Sequence, residues 1–405
     1  MTLVLSKARP GTNQPATSVA GFPLPRPQAL VYKPAMRGTL PSQSIEKLIA
    51  DGCIISSAAI KPEQIQPSSL DLTLSRRAFS MPGSLMPLVG ERVTDLIERY
   101  SRYPIDLRET GVLVRDNVYL ILLAERFALP EDVGAYANNK SSTGRIDLQT
   151  RVLADGTPRY DKIHKGYSGE LWLEVIPKSF DVKVRAGDSL NQSIFYANRS
   201  LLTGDEMRAL YAQSPLLWQQ GGKPLPMQDA LYDGGEGDAL LMTLDLDQPI
   251  AGYVSRKNFR PVDLARIGEH EPNEYFEPIV RPKDGTLFLS QGSFYIFSTC
   301  EFVSVPPDYA VEMLPYDTSA GEFRAHYAGF FDPGFGYGEK GEVKGTPAVL
   351  EVRPYEDDLI VRHRQPVCKM AYEKLSERPR KLYGVGLQSN YARQRGPRLS
   401  KFFRQ

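Results

Sequence analysis

The feature that most constrains this 405-residue chain is an internal repeat. Short strings of apolar residues, most with a Tyr, Glu or Pro at a fixed place, occur once in each half, between 174 and 177 residues apart. The matched elements are Tyr119 and Tyr295, Glu125 and Glu301, Pro130 and Pro306, Glu174 and Glu351, and the strings 70–72 and 244–246. A nearly constant separation over several blocks indicates a duplicated domain.

The local pattern predicts that this domain is mainly β. Pro and Gly divide the chain into short apolar or alternating segments rich in β-branched and aromatic residues, which is typical of strands. We expect strands at 118–124, 170–176, 193–196, 293–298 and 348–352, and short helices at 44–51 and 205–213. The predicted organisation is an extension (1–41), a first repeat (42–205), a linker (206–240) and a second repeat (241–405).

Composition excludes several classes of function. The 49 Lys and Arg residues balance 48 Asp and Glu residues, so a net charge of +1 gives no general attraction for nucleic acid polymers or anionic membranes. No apolar run reaches the length of a membrane span, and residues 1–41 lack the apolar core of a secretory signal, so we expect a cytoplasmic protein. Neither a P-loop string nor the HxE and PCxxC motifs of zinc deaminases occur, and the three Cys and four His residues show no metal-ligand spacing.

Four polar clusters could carry chemistry. Ser141, Ser142 and Arg145 place hydroxyls and a guanidinium within five residues, a set suited to phosphate oxygens. Asp332 begins a Pro-Gly turn. Glu174 and Glu351 each lie inside an apolar strand, where burial favours the protonated carboxyl that a general acid–base group needs, unless strand alternation turns them to solvent. The aromatic and basic tail, 383–403, suits a flap over a ligand.

The order of these strings resembles the dCTP deaminase family, within the dUTPase-like superfamily of all-β nucleotide hydrolases. The resemblance covers 44–196 and, more faintly, 241–400. It implies two tandem distorted β-barrel or jelly-roll repeats and assigns a role to each cluster. The early strand motif is 67–74; the triphosphate residues are Ser141, Ser142 and Arg145; the base-recognition residues are Ala328 and Asp332; the catalytic residue is Glu351; and the flap residues are Tyr383, Tyr391, Gln394, Gly396 and Ser400, with Asn390 in place of the usual lysine.

The two repeats depart from the family pattern in complementary ways. The first keeps the phosphate string but has His164-Lys165-Gly166 at the Asp-Pro-Gly turn, after extra residues around 155–162. The second keeps Asp332 and Glu351 but has Glu322 where the arginine should be, and a carboxylate there would repel a triphosphate. We therefore expect one composite site, with Ser141, Ser142 and Arg145 from the first repeat and Ala328, Asp332 and Glu351 from the second. The sequence leaves open whether the halves meet within one chain or between two.

The resemblance implies hydrolytic deamination of dCTP to dUTP and ammonia, with no metal at the base, Mg²⁺ carried by the triphosphate, and a homo-oligomeric enzyme. Glu351 would move the protons and the tail would close last. Two alternatives stay open. The protein could be a dUTPase or a bifunctional enzyme that continues from dCTP to dUMP, or a non-catalytic nucleotide-binding regulatory module whose sites have degraded.

Overall fold

The computed structural model describes residues 37–230, 232–233, 239–316, 329–386, 390–392 and 394–405. It is mainly β, and its strands pair almost entirely antiparallel. The strands of the first half are β1 (Gly38–Thr39), β2 (Ile54–Ser56), β3 (Leu70–Met81), β4 (Tyr103–Asp106), β5 (Gly111–Leu113), β6 (Val118–Ala128), β7 (Gly134–Asn139), β8 (Leu148–Ala154), β9 (Lys162–Ile163), β10 (Ser168–Pro177), β11 (Val182–Val184) and β12 (Ser189–Asn198).

The second half continues the numbering. Its strands are β13 (Leu217–Trp218), β14 (Tyr232–Asp233), β15 (Ala239–Thr243), β16 (Ile250–Ser255), β17 (Val262–Asp263), β18 (Phe276–Val280), β19 (Thr286–Leu289), β20 (Tyr295–Val303), β21 (Tyr309–Pro315), β22 (Phe330–Phe331), β23 (Thr346–Val352), β24 (Leu359–Arg362) and β25 (Pro366–Lys374). The helices among the described residues are α1 (Ser42–Ala50), α2 (Val93–Tyr100), α3 (Ser141–Gly144), α4 (Gly204–Gln213) and α5 (Pro272–Tyr275), with 3₁₀ turns at Pro62–Gln64 and Met227–Asp229. The prediction of a mainly β fold with a few short helices is confirmed.

The strands of each half wrap around an apolar core. In the first half one sheet runs in the order β8-β10-β6-β3-β12-β7-β9, with β1, β2 and β4 added at its sides. The second half has two five-stranded sheets. One runs in the order β13-β20-β16-β18, with β23 also paired to β20, and the other runs in the order β14-β15-β25-β21-β22. Strand β17 of the second half pairs in parallel with β11 of the first, so the halves share a small sheet. No helix in the described ranges is long and apolar enough to cross a membrane.

A threonine–glutamate contact occurs in both halves. The Thr73 N–H and hydroxyl donate to the Glu125 carboxylate over 2.8 and 2.7 Å, and those of Thr243 donate to Glu301 over 2.8 and 2.6 Å. Thr73 and Thr243 are therefore equivalent, 170 residues apart. The predicted match of 70–72 with 244–246 is therefore wrong. The second half has six more residues than the first between this threonine and the repeated tyrosine at the start of the next long strand.

The repeated tyrosines also keep one role. The Tyr119 hydroxyl accepts the Val114 N–H over 2.9 Å, and the Tyr295 hydroxyl accepts the Ser290 N–H over 2.8 Å. Each hydroxyl thus satisfies a loop amide while its ring is buried.

The chain's C-terminal end is part of the first half's core. Leu399, Phe402 and Phe403 belong to the same buried apolar cluster as the strands of the first repeat. Phe403 is completely buried and makes ring contacts with Tyr275 and Phe276 at centroid distances of 5.3 Å. Burying one such side chain contributes about 1.5–3 kcal/mol. The tail is therefore anchored at its end, so any flap motion must involve the segment that precedes this anchor.

Candidate functional site

A small cavity lies where the two halves and the tail meet. It encloses about 50 Å³, enough for one or two waters. The first half lines it with Asn139, Lys140, Ser141 and Arg145; the second with Met313, Gly329, Phe330, Phe331, Asp332, Phe335, Val349 and Glu351; and the tail with Tyr383, Tyr391 and Gln394. All of these residues belong to one chain, so the composite pocket needs no second copy to bring its two ends together.

Arg145 forms the centre of the first half's contribution. It follows the one-turn helix α3, is 3% exposed, and lies beneath the tail. Its Nη2 donates to the Gln394 side-chain oxygen and its Nη1 to the Arg398 carbonyl, each over 3.0 Å, while the guanidinium stacks 3.8 Å from the centroid of the Tyr391 ring. Its Nε has no hydrogen-bond partner within the described ranges and lies 3.8 Å from Glu351 Oε1.

Glu351 is the penultimate residue of β23, opposite Ile296 of β20. Every residue of β23 is buried, so strand alternation does not turn this carboxyl to solvent. Burial raises the pKa of Glu351 to about 8, and the nearby Arg145 guanidinium partly offsets that rise. Glu351 is therefore largely protonated at neutral pH and lies beside a cation whose Nε–H is free to bond. A carboxyl in this setting can move protons near pH 7.

Asp332 follows β22 at the start of the Pro-Gly turn and reaches across to the first half. Its Oδ1 accepts the Ser68 N–H over 3.0 Å and the Ser68 hydroxyl over 2.9 Å. Burial raises the pKa of Asp332 to about 6. Gly334 holds this turn with a φ of +94°, and an added Cβ would lie 3.0 Å from the Tyr383 nitrogen, so a side chain there would clash where the tail enters.

Two partners in the site were not predicted from the sequence. Ser68 lies in the string quoted for the early strand, yet its bond to Asp332 depends on how the halves pack. The Lys140 ammonium, one residue before Ser141, contacts the Asp71 carboxylate and also lines the cavity. A lysine directly before the two serines is the signal that could have drawn attention to a second cation in this cavity.

The serines and the tail are joined by direct contacts. Ser141 lines the cavity and is exposed, whereas Ser142 is buried and its carbonyl accepts the Ser400 hydroxyl over 2.7 Å. Gln394 donates to the Pro347 carbonyl over 2.8 Å as well as accepting from Arg145, so its amide bridges the two halves. The Tyr391 hydroxyl accepts the Lys401 N–H over 3.1 Å.

An aromatic wall closes the second half's side of the cavity. The Phe335 ring contacts Phe331 at 4.8 Å and Tyr383 at 5.4 Å between centroids. Ala328, predicted to recognise the base, lies outside the described residues, as do residues 318–322 of the degraded phosphate string. Gly329, next to Ala328, lines the cavity.

The first half's glutamate has different surroundings. Glu174 is buried at the equivalent place on β10, but its partner is Arg151 of the adjacent strand, with 3.6 Å between Nη1 and Oε1. Burial raises the pKa of Glu174, and Arg151 opposes that rise. The Tyr160 ring lies 4.7 Å beneath the Arg151 guanidinium, and its hydroxyl adjoins the glutamate.

The strand register explains this difference. Ala135 pairs with Ile163 in the first half as Val311 pairs with Phe331 in the second. Counting back three residues from each partner aligns Tyr160 with Ala328, and counting forward one aligns His164 with Asp332. A phenol ring therefore lies beside Glu174, and the sequence of the second half has Ala328, which lies outside the described residues, at the corresponding alignment position.

Comparisons with known proteins agree on one family. A family model for the 2'-deoxycytidine 5'-triphosphate deaminase (DCD) N-terminal domain matches residues 36–199, and one for its C-terminal domain matches 204–403. A solved structure of 2'-deoxycytidine 5'-triphosphate deaminase from Agrobacterium tumefaciens superposes with a TM-score of 0.79. It is 38% identical, with 87% of this chain and 99% of that chain covered.

Curated relatives match over shorter stretches. A "dCTP deaminase, dUMP-forming" from Methanosphaera stadtmanae is 26% identical over 34% of this chain and 66% of its own length. One of the same description from Methanococcus vannielii is 32% identical over 30% and 55%, and a "dCTP deaminase" from Haloarcula marismortui is 27% identical over 28% and 55%. The chain thus spans just over half to just under two thirds of the length of these relatives.

Proposed function

Because this chain belongs to the dCTP deaminase family, we propose that it removes the 4-amino group of cytosine from dCTP by hydrolysis, giving dUTP and ammonia. The observation that carries this proposal is the 3.8 Å approach of Arg145 Nε to Glu351 Oε1 in one cavity. It joins a phosphate-type cluster of the first half to a buried proton-transfer group of the second.

In the proposed reaction Glu351 handles the protons. Its carboxylate form takes a proton from a water that adds to C4 of the base. The same group passes this proton to N3, then takes the second proton from the new hydroxyl on C4 and delivers it to the departing amine, so that one water is consumed for each ammonia released. A positioned acid–base group of this kind contributes about 10² to 10⁴ in rate. Because the pKa of Glu351 is about 8, the reactive carboxylate fraction of the free enzyme should grow as pH rises toward 8.

The first half would hold the triphosphate. Ser141, Ser142 and Arg145 offer hydroxyls and a guanidinium, and Lys140 adds a second cation at the same end of the cavity. Three phosphates carry more negative charge than these two cations neutralise, so we expect the nucleotide to arrive as its Mg²⁺ complex. Ala328 and Asp332 are proposed to contact the nucleoside, as the family resemblance implies.

The tail must move for the substrate to bind. A site for a nucleotide-sized ligand needs about 300 Å³ or more, whereas the cavity encloses about 50 Å³. Tyr383, Tyr391 and Gln394 close it, and they precede the buried anchor of Leu399, Phe402 and Phe403. We propose that this segment opens and then closes over dCTP, which excludes bulk water from the reacting base.

A second candidate is conversion of dCTP to dUMP, and the descriptions of the methanogen relatives favour it. The two activities differ in one product. Purified protein should be incubated with Mg²⁺ and dCTP, and separately with dUTP, while ammonia and pyrophosphate are measured. Ammonia without pyrophosphate supports the proposal, equal amounts of both support the second candidate, and dCTP binding without either product would identify a non-catalytic nucleotide-binding module.

A further inference from the structure

A cysteine, a histidine and an aspartate converge in the second half at a place that the proposed reaction does not use. They come from β20, from the turn between β24 and β25, and from the loop after β15, so no spacing along the sequence groups them. The donor atoms of Cys300, His363 and Asp245 all lie within 4.8 Å of one another. The His363 Nδ1 is 3.8 Å from Asp245 Oδ1 and 4.0 Å from Cys300 Sγ.

We propose that these three side chains bind one borderline-soft divalent cation of the zinc class. Thiolate, imidazole and carboxylate form the donor set that zinc sites use, and tetrahedral zinc keeps such donors about 3.5 Å apart. The distances between the donor atoms of these three side chains would therefore have to shorten by a few tenths of an ångström to about one ångström when the cation binds. Mg²⁺ and Ca²⁺ prefer oxygen donors only, so this cluster does not suit them.

The His363 ring already presents the correct nitrogen. Its Nδ1 accepts the Leu246 N–H over 3.2 Å, so Nδ1 carries a lone pair rather than a proton. Neutral imidazole is the form that binds metals. The cation would take the place of the Leu246 N–H at Nδ1, and Nε2 would keep its proton.

The other two proposed ligands, Asp245 and Cys300, also have hydrogen-bond partners in this structure. The Asp245 side chain is held by the Asp247 N–H at Oδ1 and by the Gln248 amide at Oδ2, each within 2.9 Å, and such outer contacts orient metal ligands. The Cys300 thiol donates to the Leu244 carbonyl over 3.4 Å. When the cation binds, the thiol proton leaves to solvent and the sulfur becomes a thiolate ligand. The His363 side chain is 31% exposed, which provides a route for the ion and a position for a water as the fourth ligand.

The first half shows that the fold does not require these residues. In the first half the Gly187 N–H donates to the Leu74 carbonyl, and in the second half the Arg364 N–H donates to the Leu244 carbonyl, both over 2.8 Å. Gly187 therefore corresponds to Arg364, and Leu74 to Leu244. This pairing aligns Ala186 with His363. Leu74 pairs with Leu123 as Leu244 pairs with Thr299.

The residue after each aligned pair corresponds in the same way, so Ser75 corresponds to Asp245 and Ala124 to Cys300. The second copy therefore has three metal-type ligands at positions where the first copy has two alanines and a serine. These first-half residues also supply variants that the same backbone already accommodates: Cys300→Ala, His363→Ala and Asp245→Ser.

The test is cation binding to the purified full chain. Calorimetry with Zn²⁺, and absorption with Co²⁺ as a spectroscopic probe, should show one tight site per chain with a thiolate charge-transfer band, and excess Mg²⁺ should not displace the ion. Since loss of even an outer-shell partner commonly costs about 10- to 100-fold in affinity, each of the three variants should weaken Zn²⁺ binding by at least about 100-fold. His164→Ala, at an exposed histidine, is the matched control and should leave it unchanged.

Two measurements keep the outcome clear. Each variant's melting temperature should be measured without and with Zn²⁺, and the added ion should raise the wild-type and control values while leaving those of the three variants unchanged. Absence of one-to-one binding, or binding that Cys300→Ala and His363→Ala leave intact, would overturn the proposal. Deamination can be assayed on the same samples, and its presence or absence does not bear on this site.

Discussion

Glu351 and Glu174 lie at equivalent places in the two copies of one strand, and both are buried, yet their neighbours differ. Glu351 meets Arg145 from the other half at the edge of a cavity, with 3.8 Å between Arg145 Nε and Glu351 Oε1. Glu174 meets Arg151 from the next strand of its own half, with Tyr160 filling the remaining space. A buried carboxyl in an apolar strand is thus common to both copies and does not by itself make a site. What distinguishes Glu351 is the surface that the other half brings to it.

The largest expected effect separates these two glutamates. Glu351→Gln should lower kcat for dCTP deamination by about 10² to 10⁴, because the amide cannot accept the proton from water. Nucleotide binding, measured by calorimetry, should persist. Glu174→Gln is the same substitution on the equivalent strand and should leave ammonia release near the wild-type rate. An inactive Glu174→Gln beside an active Glu351→Gln would show that the halves are assigned backwards.

The second effect compares the two arginine partners. Arg145→Ala should reduce kcat/KM by about 10- to 100-fold, mainly through KM, since hydrogen bonds to charged groups contribute about 1.5–3 kcal/mol. Arg145 also lowers the pKa of Glu351, so its removal should move the rising limb of the pH–rate profile to higher pH. Arg151→Ala is the matched control and should change neither quantity. Steady-state kinetics of the wild type and both variants between pH 6 and 9 check this prediction. Equal changes in the two variants would contradict the assignment of Arg145 to the site.

The third effect is on stability rather than rate. The folded-state pKa of Glu351 is about 8, above the usual value for a glutamate. Between pH 4.5 and about 8, Glu351 is deprotonated in the unfolded chain but protonated in the folded chain. The free energy of unfolding therefore falls as pH rises through this range and changes no further above about 8. Glu351→Gln removes this cost.

The variant should therefore be more stable than the wild type at pH 9, by about 1.4 kcal/mol or more, with the difference disappearing near pH 4.5. Glu174→Gln should shift stability in the same direction but less, because Arg151 and the Tyr160 hydroxyl favour its charged form. Denaturant unfolding at several pH values checks both. A Glu351→Gln difference that does not vary with pH would mean that this carboxyl is charged in the folded protein.

The smallest expected effect concerns the tail. Gln394→Ala removes the amide that bridges Arg145 and the Pro347 carbonyl, so the closed tail should lose about 1–2 kcal/mol and kcat/KM should fall several-fold. Proteolysis within the segment 383–398 should become faster in the absence of nucleotide. Gln291→Ala, at an exposed glutamine that donates to the Tyr355 and Glu356 carbonyls, is the control. Equal proteolysis of both variants would argue against a tail held by Gln394.

Some of this arrangement was accessible from the sequence. The alternation of short apolar segments predicted the β class, and the strands expected at 118–124, 170–176 and 348–352 lie within β6, β10 and β23. The complementary substitutions at His164 and Glu322 indicated that Arg145 and Glu351 belong to one site. That inference depended on comparing the copies with each other, since each string is common on its own.

Other parts depend on packing that no local pattern encodes. The bond from Ser68 to Asp332 and the contact of Lys140 with Asp71 join residues whose distance is set by how strands of different lengths pair. The mistaken match of 70–72 with 244–246 has the same origin, because a longer connection before β20 shifts the numbering. The roles of Ala328 and of Asp332 toward a nucleoside stay predictions.

The central claim is that Arg145 and Glu351 of the same chain form one working pocket. The most direct test co-expresses Arg145→Ala and Glu351→Gln chains carrying different tags, purifies any assembly that contains both, and measures ammonia release from dCTP. Each mixed assembly should be no more active than its parents, because every pocket contains one defect. Recovery of activity in the mixture would contradict the claim, since it would require Arg145 of one chain to serve Glu351 of another.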